Sequence, residues 1–409
     1  MPKNIILCSD GTGNTFKQRS SNVSELIKSL DLAANPPCGR KQFAFYDQGV
    51  GTNPGLVQDA LAYAGSTPDA ANLKVLHVPQ RTWWNPAPVA WVRGMAKGYG
   101  LRENVQELVR ALAENHAPDD DVYLFGFSRG AFTVRAVAGF VHRCGLPRPG
   151  TVFDDWFEKG FRLYEQHFPP PEDINAFQTA HSRLIRIHFL GIWDTVKSYG
   201  GLKPISWPHL RHNPSVDNVR HALALDEQRA WFQCTTWGRT DEVIHGKQLE
   251  DPERYTTQDV EEVWFRGFHS DIGGGTKERK SARVALLWML GEAAHFGLRL
   301  NKDGVARFDR KEDFNRKIKP HDSRTWWWPL VGVVTREELR NDWRPPQRDR
   351  VTGSKSPRNP LLPELKEGQD RREVLVHVSA LDAVRLPHVR VIETRPLPTQ
   401  RALVDPLQT

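Results

Sequence analysis

Apolar runs and helical patterns alternate along the first three-quarters of the chain. Apolar runs predict strands at 4–8, 42–46, 121–127, 184–193 and 260–268. Apolar residues at helical spacing predict helices over 21–32, 103–114, 129–142 and 282–296. Strands that are apolar throughout and separated by helices are typical of a parallel sheet covered on both faces. The pattern therefore predicts an α/β fold with a mostly parallel sheet.

Two stretches depart from this alternation. Residues from about 200 to 260 place several tryptophans among prolines and histidines, which indicates an insertion. The region after 300 is polar and rich in arginine and proline, and short apolar runs at 374–378 and 389–392 predict late strands. We therefore expect one large domain over 1–300 and a C-terminal extension over 301–409 that packs on it. The prolines and basic residues from about 344 to 368 predict a flexible loop within that extension.

The motif Gly126-Phe127-Ser128-Arg129-Gly130 has the G-x-S-x-G form of a nucleophile elbow. The form alone is weak evidence, because a chain of this length contains one by chance with a probability of about 0.1. Here a buried strand leads directly into the motif and a helix of small residues follows, as the elbow requires. The Ser128 hydroxyl would then stand above the sheet at a helix N-terminus, where the helix dipole favours a developing oxyanion. The alternative is a tight strand-to-helix turn with no chemistry.

A serine nucleophile needs a base, and the base needs a group that orients it. Asp194 follows the predicted strand at 184–193, and His269 follows the predicted strand at 260–268. Ligand sites of open parallel sheets lie at the carboxyl ends of the strands, and the order Ser, Asp, His is that of α/β-hydrolases. We therefore expect Ser128 as nucleophile, His269 as general base and acid, and Asp194 as the orienting carboxylate. Asp271 remains the alternative acid, although its closeness to His269 favours a role in the loop.

An oxyanion hole combines the amide after the nucleophile with one from a neighbouring loop. The Arg129 amide is the expected first donor. The second is expected from Gly11 or Thr12, in the loop after the first strand, if that strand neighbours the nucleophile strand. The rest of this loop is expected to contact substrate or to hold the loop, through Asp10, Gly13 and Asn14. The alternative is a glycine-rich turn that caps the next helix.

The same loop also resembles the phosphotransfer motif D-x-D-G-T of haloacid-dehalogenase-like enzymes. The first Asp of that motif is the nucleophile, and Cys8 stands at the matching position here. That chemistry therefore lacks its attacking carboxylate.

Composition narrows the class of partner. Lys and Arg number 56 against 49 Asp and Glu, and the resulting net charge of +7 fits nucleic acid, a phospholipid surface or a phosphorylated substrate. No aromatic–basic motif or helix-turn-helix pattern supports nucleic acid. The chain has 14 tryptophans, and exposed ones such as Trp83, Trp84 and Trp326–Trp328 would suit a lipid headgroup layer, with core packing as the alternative. The 4 cysteines are scattered without a C-x-x-C pair, which argues against a disulfide framework or a zinc site.

Targeting segments are not predicted. No apolar run approaches the ~18 uncharged residues of a spanning helix. The apolar run near the N-terminus stops at Asp10, unlike that of a signal peptide. We expect synthesis in the cytoplasm, with export by a route that needs no signal peptide left open.

Six motifs together resemble one known family. In chain order they are Leu7–Asn14, Tyr46–Thr52, Gly126–Ala131, Gly191–Val196, His221–Glu227 and His269–Gly275. This order is similar to that of the α/β-hydrolase catalytic domain of type VI secretion phospholipase effectors, and the resemblance covers about residues 3 to 300. It implies hydrolysis of phospholipid acyl esters at a membrane surface. It also implies an antibacterial role, a secretion-apparatus partner and a cognate immunity protein.

The expected function is that of a serine esterase or lipase of the phospholipase A type. No resident cofactor is expected, and a requirement for a divalent cation stays open. The alternative is a non-catalytic interaction or adaptor module on a hydrolase scaffold. A distance between Ser128 and His269 beyond hydrogen-bond reach would support that alternative.

Overall fold

The computed structural model describes most of the first 300 residues and short segments of the remainder. The described residues are 1–11, 20–34, 40–49, 54–66, 70–76, 100–196, 207–227, 232, 234–237, 258–276, 280–301, 304, 306, 336–340, 347–351, 374–378, 380 and 389–395. The strands are β1 (Asn4–Ser9), β2 (Gln42–Asp47), β3 (Leu73–Val75), β4 (Asp121–Phe127), β5 (Leu146–Pro147), β6 (Ser182–Arg183), β7 (Ile187–Trp193), β8 (Val216–Ala224), β9 (Asp259–Phe265), β10 (Arg336–Arg340), β11 (Gln347–Val351), β12 (Val374–His377) and β13 (Val389–Ile392). The helices are α1 (Asn22–Ser29), α2 (Pro54–Ser66), α3 (Leu101–Asn115), α4 (Arg129–Cys144), α5 (Phe153–Glu165), α6 (Pro171–His181), α7 (His269–Gly273) and α8 (Lys280–His295).

A nine-stranded sheet carries the fold, in the order β13-β12-β9-β8-β7-β4-β1-β2-β3. Its described strand pairs are parallel. The predicted mostly parallel α/β fold is therefore confirmed. Strand order reverses direction between β1 and β4, and such a switch point opens a crevice at the carboxyl ends of the strands. The predicted neighbourhood of the first strand and the nucleophile strand is also observed, because β1 pairs with β4.

Helices cover both faces of the sheet. Alternate residues of β1 face opposite sides, because side chains along a strand alternate. Ile5 and Leu7 join the core beneath α3, α4 and α5, whereas Ile6 and Cys8 join the core beneath α1 and α8. The continuous apolar run of β1 is thus explained by burial on both faces.

The predicted insertion at 200–260 contains a central strand. β8 pairs with β7 on one side and with β9 on the other, so the expectation of an insertion over the whole segment is wrong. Apolar periodicity missed β8 because the strand carries polar residues. Arg220 and His221 are nevertheless buried, and Arg220 is paired with the carboxylate of Glu292.

The C-terminal region contributes to the sheet itself. β12 pairs with β9 and β13 pairs with β12, close to the late strands predicted from the sequence. β12 and β13 therefore continue the main sheet, whereas β10 and β11 form a two-stranded sheet of their own. Within the predicted flexible loop, β11 pairs with β10. A polar composition does not prevent this pairing, since ladder hydrogen bonds join backbone groups.

Tryptophans of the described segments lie in the interior. Each of them is buried, namely Trp156, Trp193, Trp207, Trp237, Trp264 and Trp288. Trp83, Trp84 and Trp326–Trp328, expected at a lipid surface, lie outside the described residues. Within the described ranges, none of the helices has the length and apolar character needed to cross a bilayer.

Candidate active site

Ser128 occupies the turn between β4 and α4. Its backbone has φ 58° and ψ −118°, and a residue other than glycine adopts positive φ at a cost of about 1–3 kcal/mol. The turn also needs a close approach of two backbones: a Cβ on Gly130 would lie 2.1 Å from the Ser9 carbonyl oxygen. The predicted strand–turn–helix elbow is therefore present, with Ser128 at the N-terminus of α4.

Asp194 lies in the turn after β7, and its backbone also has positive φ, at 42°. Two backbone groups of β8 hold this turn. The Asp194 N–H donates to the Ala222 carbonyl at 2.8 Å, and the Ala224 N–H donates to Asp194 Oδ1 at 3.1 Å. Asp194 is completely buried, so its other carboxylate oxygen, Oδ2, is also enclosed by protein and not by water.

His269 is the first residue of α7 and lies between the other two side chains. Its Nδ1 is 2.6 Å from Asp194 Oδ2, and its Nε2 is 2.8 Å from Ser128 Oγ. The ring packs against Phe127 at 4.7 Å and Phe232 at 5.0 Å between ring centroids. The structure thus brings the three residues predicted from strand ends into one hydrogen-bonded chain.

The loop after β1 is tied inward by the Asp10 carboxylate. Asp10 Oδ2 accepts from the hydroxyls of Ser21 and, at 2.9 Å, Tyr46, and Oδ1 accepts the Gly11 N–H at 2.6 Å. Burial, with Asp10 nearby, raises the pKa of Tyr46. Because the Gly11 amide already has an acceptor, it is a poorer oxyanion donor than expected. Thr12, Gly13 and Asn14 lie outside the described residues.

Two alternatives from the sequence take other roles in the structure. Asp271 Oδ2 accepts the Phe268 N–H at 3.0 Å, so this carboxylate holds the start of α7. Cys8, at the nucleophile position of the phosphotransfer motif, is completely buried within β1, and burial raises the pKa of its thiol. A buried neutral thiol is a poor nucleophile.

His221 supports the Asp194 turn from β8. Its Nε2 lies 3.3 Å from the Thr195 N–H, and its Nδ1 lies 2.8 Å from Glu262 Oε1. Because a backbone N–H donates to Nε2, the proton of the neutral ring is on Nδ1 and points at Glu262. Burial lowers the pKa of His221, which favours this neutral form.

Glu227 was not singled out from the sequence. Its Oε2 accepts the His269 N–H at 3.2 Å, and the residue is completely buried. In the sequence it appears only as the last residue of the His221–Glu227 motif, with no role of its own assigned to it. Across the described residues, no group of three or more His, Cys, Asp or Glu is placed to hold a metal ion.

A protein-family model matches most of the chain. The family model for the catalytic domain of Tle1-like phospholipase effectors of the type VI secretion system (T6SS) matches residues 3–292. A curated relative, the uncharacterized protein YEL023C of Saccharomyces cerevisiae, is 27% identical over 243 residues. That alignment covers 56% of this chain and 32% of the yeast protein. The chain thus spans about a third of this relative's length.

Two solved structures are similar to the chain at low identity. One is the crystal structure of an uncharacterized protein from Pseudomonas aeruginosa, at 20% identity and a TM-score of 0.40, covering 76% of this chain and 49% of that one. The other is the structure of the Tle1 effector bound to the VgrG spike of the type 6 secretion system. It is 17% identical with a TM-score of 0.31, covering 67% of this chain and 52% of that one.

Proposed function

The chain belongs to the family of Tle1-like phospholipase effectors of type VI secretion systems, and from this premise we propose that it hydrolyses acyl esters of phospholipids. Ser128 is the proposed nucleophile, His269 the general base and acid, and Asp194 the orienting carboxylate. The observation that carries the proposal is the chain of hydrogen bonds from Ser128 through His269 to Asp194. Such a chain, together with a strained serine turn, has the geometry of an acyl-transfer site.

In the acylation step, Ser128 Oγ attacks the ester carbonyl carbon while His269 Nε2 takes the hydroxyl proton. The 2.8 Å distance between these atoms is within reach for that transfer. The same Nε2 then gives the proton to the departing alcohol. In the second step His269 Nε2 removes a proton from water, which attacks the carbonyl carbon of the acyl-Ser128 ester. The bond from that carbon to Ser128 Oγ then breaks, Nε2 returns the proton to Oγ, and the fatty acid leaves.

Asp194 keeps the imidazole ready for both steps. With Oδ2 2.6 Å from Nδ1, the carboxylate accepts the Nδ1 proton and leaves Nε2 able to accept one. The buried carboxylate also stabilises the imidazolium that forms during each step. The Arg129 amide, in the first turn of α4, is the proposed oxyanion donor, joined by the Thr12 amide from the loop after β1.

The alternative of a non-catalytic module gains no support from the distances. It would be favoured by a gap between Ser128 and His269, and the two side chains are within hydrogen-bond reach. Family membership also supports a partner in the secretion apparatus, which we propose to be a spike component that carries the effector out of the cell.

The experiment compares the wild type with Ser128→Ala on mixed vesicles of a zwitterionic and an anionic phospholipid, with and without added calcium ion. We expect fatty acid release by the wild type and a loss of about 10⁴-fold or more in Ser128→Ala. Ser29→Ala is the matched control, because the Ser29 hydroxyl donates to the Glu25 carbonyl within α1, away from the site. No release by the folded wild type would overturn the proposed activity, and full activity of Ser128→Ala would overturn the proposed nucleophile.

A further inference from the structure

The end of β8 lies between the two loops that carry Asp194 and His269. β8 pairs with β7, which leads into Asp194, and with β9, which leads into His269. Its backbone holds the Asp194 turn through Ala222 and Ala224. None of the three residues of the hydrogen-bonded chain comes from β8, so this strand acts on the site through the loops beside it.

The loop between β9 and α7 is held by the residues that follow β8. Asp226 Oδ2 accepts the Gly267 N–H at 2.7 Å and the Arg266 Nε–H at 2.9 Å, and the Asp226 N–H donates to the Gly267 carbonyl at 3.1 Å. Gly267 has φ 119°, and a Cβ there would lie 2.4 Å from the Asp271 Cβ. The chain therefore bends sharply at Gly267, and Asp226 attaches this bend to the residues after β8.

Glu227 continues this attachment up to His269 itself. The first N–H groups of a helix have no acceptor within the helix and need another one. The Phe268 N–H finds its acceptor locally in Asp271, whereas the His269 N–H donates to Glu227, 42 residues away in the chain. Of these two bonds, the one from His269 to Glu227 joins α7 to the residues after β8. It therefore sets the position of α7 relative to the Asp194 turn, which β8 also holds.

We propose that Glu227 is a positioning residue for His269, a proposal that rests on the proposed function of the site. By holding the His269 backbone on the end of β8, Glu227 sets the imidazole where it reaches Asp194 and Ser128 at once. The ring makes two short hydrogen bonds in different directions, from Nδ1 to Asp194 at 2.6 Å and between Nε2 and Ser128 at 2.8 Å. A displacement of about 1 Å at a reacting group lowers the rate by as much as about 100-fold.

Three substitutions test this role on a soluble p-nitrophenyl acyl ester, with kcat and KM measured separately in the full chain. Glu227→Gln keeps the length of the side chain and an acceptor oxygen, whereas Glu227→Ala removes the acceptor. Glu227→Asp keeps the carboxylate but draws it back by one methylene. We expect Glu227→Ala and Glu227→Asp to lose about 10- to 100-fold in kcat with KM unchanged, and Glu227→Gln to retain most of the wild-type rate.

Glu292→Gln is the matched control, because it removes another buried glutamate that is hydrogen-bonded to β8, through Arg220, away from the site. It should unfold more easily and keep the wild-type kcat per folded molecule. The proposal is overturned if folded Glu227→Ala or Glu227→Asp keeps the wild-type kcat, if Glu227→Gln is as slow as Glu227→Asp, or if the loss falls on KM. Should Glu227→Ala fail to fold, the Gln and Asp variants decide. A wild type that does not hydrolyse the ester would overturn the proposed function instead.

Discussion

Charged side chains are buried in the middle of β8 and just after its carboxyl end, but the two clusters hold different parts of the molecule. In the middle of the strand, Arg220 Nε donates to Glu292 Oε2 at 2.7 Å, and Arg395 Nε donates to Glu292 Oε1 at 2.5 Å. At the carboxyl end, β8 and the residues after it hold the turns that carry Asp194 and His269. The first cluster joins the C-terminal segment to the core, and the second serves the candidate active site.

The two clusters differ in their backbone conformation. Asp194, supported by the end of β8, has positive φ, as does Ser128, which it reaches through His269. Arg220 lies within a regular strand and Glu292 within a regular helix. A buried charge alone therefore does not indicate chemistry, because ion pairs that hold a fold are buried as well. A buried charge on a strained turn is the stronger indication.

Among these tests, Asp194→Asn should produce the largest effect, a loss of activity at the active-site cluster. The amide keeps an acceptor for the Ala224 N–H but favours the wrong imidazole tautomer, so kcat/KM should fall by about 10⁴-fold. The free energy of unfolding, measured in urea, should change little. Ester hydrolysis and urea unfolding are measured on the same preparation. A variant that loses stability while keeping its rate would assign Asp194 to the fold and not to the reaction.

Glu292→Gln should show the opposite pattern, at the other cluster. Arg220 is 1% exposed and would lose its closest carboxylate while keeping Asp259 at 3.0 Å, so the free energy of unfolding should fall by about 1.5–3 kcal/mol. The kcat of the folded variant should equal that of the wild type.

Glu158→Gln is the comparison variant for Glu292→Gln. It breaks the exposed pair with Arg102, where both side chains are more than a third exposed, and should cost only about 0–1 kcal/mol. Equal losses of stability in the two variants would contradict the account of the Arg220–Glu292 cluster.

Asp47 offers a smaller and pH-dependent test at the end of β2. Burial raises the pKa of its carboxyl to about 6, against hydrogen bonds from Ser9, Gly49 and Asn104 that lower it. Because the folded pKa lies above the unfolded one, the protonated form stabilises the fold. That contribution is complete below about pH 4 and is lost as the pH rises through about 6.

The free energy of unfolding of the wild type, minus that of Asp47→Asn, should therefore fall by about 2 kcal/mol between about pH 4 and pH 7. Urea unfolding of both proteins across this range measures the difference. A flat or rising difference would show that Asp47 is not the group that titrates. Asp47 lies at the same edge of the sheet as the active site, and the test shows whether a buried carboxyl there affects stability.

Much of the sheet was predictable because strands buried on both faces are apolar throughout. β4 begins and ends where the sequence predicts, and the carboxyl ends of β4, β7 and β9 lead to the predicted Ser128, Asp194 and His269. β8 was not predictable in this way. Its polar residues are buried through partners distant in the chain, and a local pattern contains no information about such partners.

The supporting contacts of the site show the same limit. The motif around His221–Glu227 was visible as part of the family resemblance, but its separate bonds to Thr195 and His269 depend on strand pairing. The availability of the Gly11 amide likewise depends on the orientation of its neighbour's carboxylate. Such orientations are decided by packing and not by residue type.

Covalent labelling tests the central claim most directly. A fluorophosphonate reacts with an activated serine by displacement of fluoride, and the modified peptide is located by mass spectrometry. We predict one adduct on Ser128 of the folded wild type and none on Ser128→Ala, with labelling of Asp194→Asn strongly slowed. Labelling of a different residue would contradict the account. So would phospholipid hydrolysis by a wild type whose Ser128 the fluorophosphonate does not modify.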